Sequence, residues 1–169
     1  KYIFSNIFDF PSFHKRSLRL SEMSLLLKHY EALRLAANSS TPTLIIEDDA
    51  LIVDIDCLFQ FISEFNQFNF VDICDDFELL PRGSHVDSTT QNGSSYNLFY
   101  HKTALTRTTC AYIVSPQTAC QLVNNYWPCC LPSDLHHQFL FNKLSIDGYW
   151  LNHSVINHLS KTTAFNSTI

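Results

Sequence analysis

The stretch Thr43-Leu44-Ile45-Ile46-Glu47-Asp48-Asp49-Ala50 decides the fold of this chain. Its apolar part follows the turn former Pro42 and shows no alternation of polar and apolar side chains, a pattern typical of a strand buried on both faces. We therefore predict a buried, parallel strand at residues 43–47. The acidic triplet Glu47-Asp48-Asp49 lies at the carboxyl end of this strand, where α/β sheets bind their ligands.

Predicted helices and strands alternate on both sides of this strand. Apolar residues at helical spacing predict a helix from an N-cap at Ser21 to Ala37, and Pro116 in a first turn opens a helix through Val123. Further helices are predicted at residues 57–68 and 134–143, and short strands at residues 71–74, 110–115, 149–150 and 154–156. Residues 75–97 are rich in Asp, Ser, Gly, Asn and Thr, which predicts a long loop. The alternation predicts an α/β fold with a mainly parallel central sheet.

The composition predicts one packed domain over residues 1–169. Hydrophobic residues make up 46% of the 169 residues and charged residues 16%, which excludes a disordered chain. The net charge is −5 and the 11 Lys and Arg are scattered, so we expect no nucleic-acid partner. No apolar stretch approaches the ~20 residues of a membrane span, so we expect no transmembrane segment. The 6 cysteines lack CxxC and zinc-finger spacings and are expected to be mostly buried thiols.

The acidic triplet is the strongest candidate for a functional site. Its adjacent carboxylates repel one another, and burial beside a strand raises the free energy of keeping them charged. A cation would offset both effects, and oxygen ligands with no Cys or His pair nearby in the sequence suit Mg²⁺ or Mn²⁺. Such an ion keeps open positions for phosphate oxygens and neutralises a diphosphate leaving group. The alternative is that the acids cap a turn and face solvent, and the triplet alone does not separate the two.

Several blocks of the sequence, in order, resemble glycosyltransferase family 25, which includes bacterial lipooligosaccharide and collagen galactosyltransferases. The residues that match the family pattern are Glu22, His29, Glu47-Asp48-Asp49-Ala50 and Ala111-Tyr112, and the segments Leu131-Pro132-Ser133-Asp134 and Asn166-Ser167-Thr168-Ile169 are similar to two later family elements. The resemblance covers roughly residues 18–169. Family members usually open with a strand of the type VINL, which this sequence lacks, so we expect either a truncated N-terminus or a degenerate replacement of that strand at Tyr2-Ile3-Phe4. Leu27-Lys28-His29 also departs from the Ser-His pair usual in the family.

The resemblance implies a GT-A-like nucleotide-sugar fold and a divalent metal, Mn²⁺ or Mg²⁺. It implies inverting transfer of a hexose, expected to be galactose, from a UDP-sugar to a glycan acceptor such as lipopolysaccharide. Glu47 and Asp49 would form the metal and nucleotide contacts, with Asp48 shaping or sharing that site. His158 stands where GT-A enzymes often bring a late metal ligand. Asp134 is the candidate general base or acceptor-binding residue, and its alternative role is the N-cap of the helix at residues 134–143.

Other residues have simpler expected roles. His29 is expected to pack or to hydrogen-bond beside the site, Glu22 to be a first-turn acid, and the pair His136-His137 to lie on a partly exposed helix face. We expect a protein of the bacterial cytoplasm, peripheral to the inner membrane, or of the secretory lumen in a eukaryote. Two other functions stay open: a catalytically inactive glycosyltransferase-like binding module, and a Mg²⁺-dependent phosphohydrolase that also uses Asp72 and Asp75-Asp76.

Overall fold

The structure is a computed structural model that describes residues 17–65, 68–74, 86–89, 97–101, 108–129, 131–152 and 154–159. The helices are α1 (Leu20–Ala37), α2 (Ile55–Glu64), α3 (Pro116–Asn125) and α4 (Ser133–Leu144). The strands are β1 (Thr43–Ile46), β2 (Ala50–Ile52), β3 (Phe70–Asp72), β4 (Val86–Thr89), β5 (Asn97–His101), β6 (Ala111–Val114), β7 (Gly148–Asn152) and β8 (Ile156–His158). Within the described ranges, no helix is long and apolar enough to cross a membrane.

The helix ends follow from local capping interactions. The amide of Arg19 donates to the Glu22 carboxylate at 2.7 Å, so α1 begins at Leu20 and the predicted N-cap at Ser21 is wrong. Asp54 accepts a hydrogen bond from the amide of Cys57 at 3.0 Å and caps α2, which therefore begins at Ile55 rather than at residue 57. The helix ends at Glu64, before the predicted end at residue 68. Helices α3 and α4 lie within two residues of the predicted bounds.

Strand pairing confirms a mixed α/β fold but not a mainly parallel sheet. A six-stranded sheet has the order β1-β6-β3-β7-β5-β4, and β2 with β8 forms a two-stranded sheet. In the larger sheet only the described pair β3–β7 is parallel, while β1–β6, β3–β6, β5–β7 and β4–β5 are antiparallel. The predicted parallel orientation of β1 is therefore wrong. The predicted burial of β1 is confirmed only at Ile45, since Thr43 and Leu44 are half-buried and Ile46 is exposed. An apolar run reads the same whichever way the partner strand runs, so the sequence pattern does not fix the direction.

Helices cover both faces of the larger sheet. Tyr112 and Val114 of β6 pack with residues of α1, α3 and α4, whereas Ala111 and Ile113 pack with residues of α2. This alternation along β6 follows from the two-residue period of a strand and places β6 in the middle of the core. The predicted long loop at residues 75–97 is wrong where β4 forms, and most of the rest of that segment lies outside the described residues.

Candidate metal and nucleotide site

The acidic triplet occupies the turn that carries the chain from the larger sheet to the smaller one. The amide of Glu47 donates to the Cys110 carbonyl at 2.8 Å, which extends the β1–β6 pairing by one residue. The Glu47 carbonyl accepts from the amide of Ala50 at 3.3 Å and closes the turn over Asp48 and Asp49. Ala50 then begins β2, opposite His158 of β8. The turn is thereby fixed to β6 at Glu47 and to β8 at Ala50.

Asp49 and His158 face each other at this junction. His158 Nε2 lies 3.3 Å from Asp49 Oδ2, and the Asp49 carbonyl accepts from the amide of Leu159 at 2.8 Å. The other carboxylate oxygen, Oδ1, is buried and has no hydrogen-bond partner among the residues that the structure describes. Burying a carboxylate oxygen without a hydrogen-bond partner costs more free energy than burying an unpartnered neutral polar atom. A cation or a hydrogen-bond donor therefore fits this position.

Cys110 completes a group that could hold a metal ion. One ligand atom from each of Asp49, Cys110 and His158 lies within 4.8 Å of the other two. His158 is a predicted metal ligand and lies beside β2 through the pairing with β8, whereas Cys110 was not predicted and is placed opposite Glu47 by the antiparallel register of β1 and β6. Oxygen, nitrogen and sulfur ligands from these side chains fit a divalent cation.

Glu47 belongs to a different set of contacts. Its Oε1 accepts from His29 at 2.9 Å and from the Thr109 hydroxyl at 2.8 Å, and it is absent from the metal-binding group found in the described part of the chain. His29 Nδ1 is also 3.1 Å from the Tyr112 hydroxyl, and the Thr109 hydroxyl is 2.9 Å from that of Ser133. These side chains form one polar chain from β6 through α1 and the end of β1 to the start of α4.

The protonation states in this chain follow from burial and hydrogen bonding. Burial raises the pKa of Tyr112 well above its usual range, so its hydroxyl stays protonated and can donate to His29 Nδ1. His29 Nε2–H then donates to Glu47. Burial also raises the pKa of Glu47, but the hydrogen bond and the electrostatic interaction with His29, with smaller effects from Thr109 and His158, lower it below 4.5. Glu47 is therefore ionised at neutral pH.

A groove of about 230 Å³ opens beside this polar chain, between α1 and the edge strand β1. Helix α1 contributes Leu25 and Ala32 together with the polar side chains of Lys28 and His29, and the other wall ends in Glu47 and Asp48. Asp48 is exposed. Ligand pockets have volumes of roughly 300–1,000 Å³, so this groove is smaller than a pocket that encloses a whole nucleotide sugar.

The other predicted residues, Asp134, His136 and His137, belong to α4. Asp134 is in the first turn of α4, directly after Ser133, and the N-cap is Pro132, so Asp134 is not the N-cap. The expectation that His136 and His137 are exposed is wrong, since their side chains are 1% and 0% exposed. His137 contacts the rings of Phe70, Tyr112 and Phe141, and neither of its nitrogens has a hydrogen-bond partner within the described ranges. Burial lowers its pKa, which keeps it neutral.

Three polar residues of the candidate site were not predicted from the sequence: Thr109, Cys110 and Ser133. Thr109 and Cys110 immediately precede β6, and an antiparallel pairing of β1 with β6 would have placed both beside the end of β1. Ser133 immediately precedes Asp134, at the start of α4. For Thr109 and Cys110, the residue types and the approximate positions of β1 and β6 can be predicted from the sequence. The direction of β1 relative to β6 cannot.

No protein-family model matches the sequence, and no curated protein is similar enough to count as a match.

Proposed function

We propose that this chain is a metal-dependent, inverting glycosyltransferase with a GT-A-like fold. It moves a hexose, galactose by the family resemblance, from a UDP-sugar to a glycan acceptor such as lipopolysaccharide, and in a bacterium it works at the cytoplasmic face of the inner membrane. The observation that carries the proposal is the Asp49–His158 pair at the end of β1, with a buried carboxylate oxygen that lacks a partner in the described residues.

The ion has a defined chemical purpose in this proposal. A bound divalent ion, Mn²⁺ or Mg²⁺ by the family resemblance, would neutralise the diphosphate that leaves as the sugar is transferred. Asp49 and His158 would hold the ion, and the exposed Asp48 lies next to them, where it can share the site. An acidic protein with a net charge of −5 needs such an ion to accept a negatively charged donor.

The polar chain supports the family resemblance that underlies the proposal. His29, Glu47 and Tyr112 come from separate matching blocks of the sequence, and they are joined by hydrogen bonds of 2.9 and 3.1 Å through His29. Thr109, just before β6, donates a second hydrogen bond to Glu47. These contacts hold the residue that precedes the candidate metal ligands, and a fixed turn is what a preorganised metal site needs.

Asp134 is the proposed general base. Inverting transfer requires a carboxylate to take the proton of the acceptor hydroxyl while the anomeric carbon is attacked from the opposite face. Asp134 follows Ser133, whose hydroxyl is linked through Thr109 to Glu47, so the start of α4 is tied to the same junction. The first turn of a helix also stabilises the charged form of a carboxylate.

The phosphohydrolase hypothesis has less support. It requires Asp72 as a second metal ligand, but the Asp72 carboxylate is fully buried and accepts the amides of Cys74 and Thr108, each at 3.3 Å. Asp75 and Asp76 lie outside the described residues. Asp72 therefore has a structural role at the end of β3.

Calorimetry and product analysis test the proposal together. The full chain is titrated with UDP in the presence and absence of Mn²⁺, and UDP release is then measured with a panel of UDP-hexoses and a lipooligosaccharide acceptor. We expect metal-dependent UDP binding and acceptor-dependent UDP release. Binding without release from any donor would identify the inactive binding module instead, and the absence of metal-dependent UDP binding in folded protein would overturn the proposal.

A further inference from the structure

Cys110 lies at the centre of the junction and is held on both sides. Its amide donates a hydrogen bond to the Thr108 hydroxyl at 3.1 Å, and its carbonyl accepts one from the amide of Glu47 at 2.8 Å. The residue is 0% exposed and is a free cysteine. The backbone that carries this thiol is therefore fixed by hydrogen bonds at both its amide and its carbonyl.

The neighbouring side chains match the ligand set of a transition metal. Oxygen and nitrogen ligands bonded to a tetrahedral zinc ion at about 2.0 to 2.1 Å lie about 3.3 Å apart. Asp49 Oδ2 and His158 Nε2 are 3.3 Å apart. The cysteine sulfur is within 4.8 Å of the ligand atoms of both residues, and Asp49 Oδ1 is buried without a partner among the described residues.

We propose that Cys110 binds the metal ion as a thiolate, beside Asp49 and His158, and that this sulfur makes the site select Zn²⁺ or Co²⁺ over Mg²⁺. The inference rests on the metal site of the proposed function and names a ligand and an ion preference that the acidic triplet does not provide. Thiolate and imidazole favour zinc-like ions, whereas Mg²⁺ requires oxygen ligands. A carboxylate and a thiolate together also neutralise a divalent ion in a buried position.

A protein side-chain set of this kind leaves coordination positions for a ligand. Three protein ligands with an open fourth position are typical of catalytic rather than structural zinc sites. In the proposed transferase, the open position would receive a diphosphate oxygen of the donor. The ion bound by Cys110 would therefore lie at the donor side of the junction, next to the exposed Asp48.

Co²⁺ absorption tests the proposal without any assay of activity. The metal-free full chain is titrated with Co²⁺, and the thiolate-to-cobalt charge-transfer band in the near ultraviolet is recorded. We expect the band to grow to one equivalent, to disappear on addition of Zn²⁺ and to persist in excess Mg²⁺. Cobalt that binds without this band would overturn the proposal, and this result needs no variant to fold.

Variants locate the sulfur. Cys110→Ser should remove the band and weaken Co²⁺ binding by at least about tenfold, while Cys120→Ser, which changes an exposed cysteine of α3, should leave both unchanged. A band that survives in folded Cys110→Ser protein would overturn the assignment of Cys110. Metal-dependent UDP binding without the band leaves the proposed function standing, whereas the band without UDP binding supports the sulfur ligand and overturns the proposed function.

Discussion

His29 Nε2 lies 2.9 Å from Glu47 Oε1, and this contact joins the middle of α1 to the end of β1. The His29 side chain is 3% exposed and that of Glu47 18% exposed, so the pair is shielded from solvent far more than a surface ion pair. Because Glu47 precedes the turn that carries Asp49, the position of a helix residue is coupled to the geometry of the candidate metal site.

Replacing His29 with alanine should destabilise the protein and loosen the site. The change leaves a shielded carboxylate without its principal donor, so we expect the free energy of unfolding to fall by about 2–3 kcal/mol. The matched control is Glu31→Ala on the same helix, which breaks an exposed pair with Arg34 and should change it by less than about 0.5 kcal/mol. Urea unfolding of both variants measures the difference, and equal stabilities would contradict the structural role of His29.

Asp49→Asn should abolish metal-dependent UDP binding while the fold is kept. The substitution removes the negative charge that holds the ion and replaces the carboxylate, whose buried Oδ1 lacks a partner in the described ranges, with a neutral amide. We expect UDP affinity in Mn²⁺ to fall by at least about tenfold and the stability of the metal-free protein to stay the same or to rise. Asp56→Asn, at an exposed position in the first turn of α2, is the control. Unchanged affinity in calorimetry would refute the metal-binding role of Asp49.

Asp134→Asn should separate binding from catalysis. The amide cannot take a proton from the acceptor, so turnover should fall by about 10²–10⁴-fold. UDP binding should be retained, because Asp134 lies in α4 and outside the metal-binding group of Asp49, Cys110 and His158. Rates of UDP release and calorimetry on the same preparation test both expectations. Unchanged turnover would exclude Asp134 as the base.

Acid should destabilise the fold through His136. Burial lowers the pKa of His136 from 6.5 to about 4, although its hydrogen bond to the Tyr126 carbonyl opposes the shift. Between these pKa values the unfolded chain binds a proton that the folded protein does not. The contribution of neutral His136 to the free energy of unfolding is therefore complete above pH 6.5 and is lost as the pH drops towards 4. The pKa difference corresponds to about 3 kcal/mol in total, of which about 2 kcal/mol is lost by pH 5.

His136→Gln keeps an N–H donor for the Tyr126 carbonyl but removes the titration. We therefore expect urea unfolding of this variant to change less between pH 7.5 and pH 5 than that of the natural sequence. The remaining dependence should come largely from His137, whose pKa is also lowered by burial. An unchanged pH dependence in His136→Gln would show that His136 does not become charged on unfolding.

Local sequence patterns determined the type and approximate position of most elements. The apolar periodicity of α1, Pro116 at the start of α3, and the apolar run of β1 are properties of neighbouring residues, so they are visible without the fold. The buried role of Cys57 and Cys74 was also predicted correctly. His29 was predicted to pack or hydrogen-bond beside the site, and it does both.

Pairing between distant segments determined the rest. The direction of β1 depends on β6, and the apolar pattern of a buried strand is the same in either direction. His136 and His137 looked polar enough for a surface, but the aromatic side chains that surround His137 come from β3, β6 and the loop after α3 as well as from α4 itself. Burial of these histidines is decided by packing that the α4 sequence does not contain.

The acidic triplet itself shows the same division. The sequence alone determined that carboxylates follow a strand, since both features are adjacent in the chain. Only the tertiary structure decided that Glu47 bonds to His29 and Thr109 while Asp49 meets His158 and Cys110. Side chains at neighbouring positions of a turn point in different directions, and their partners arrive from α1, β6 and β8, so their separate roles depend on contacts that no local pattern encodes.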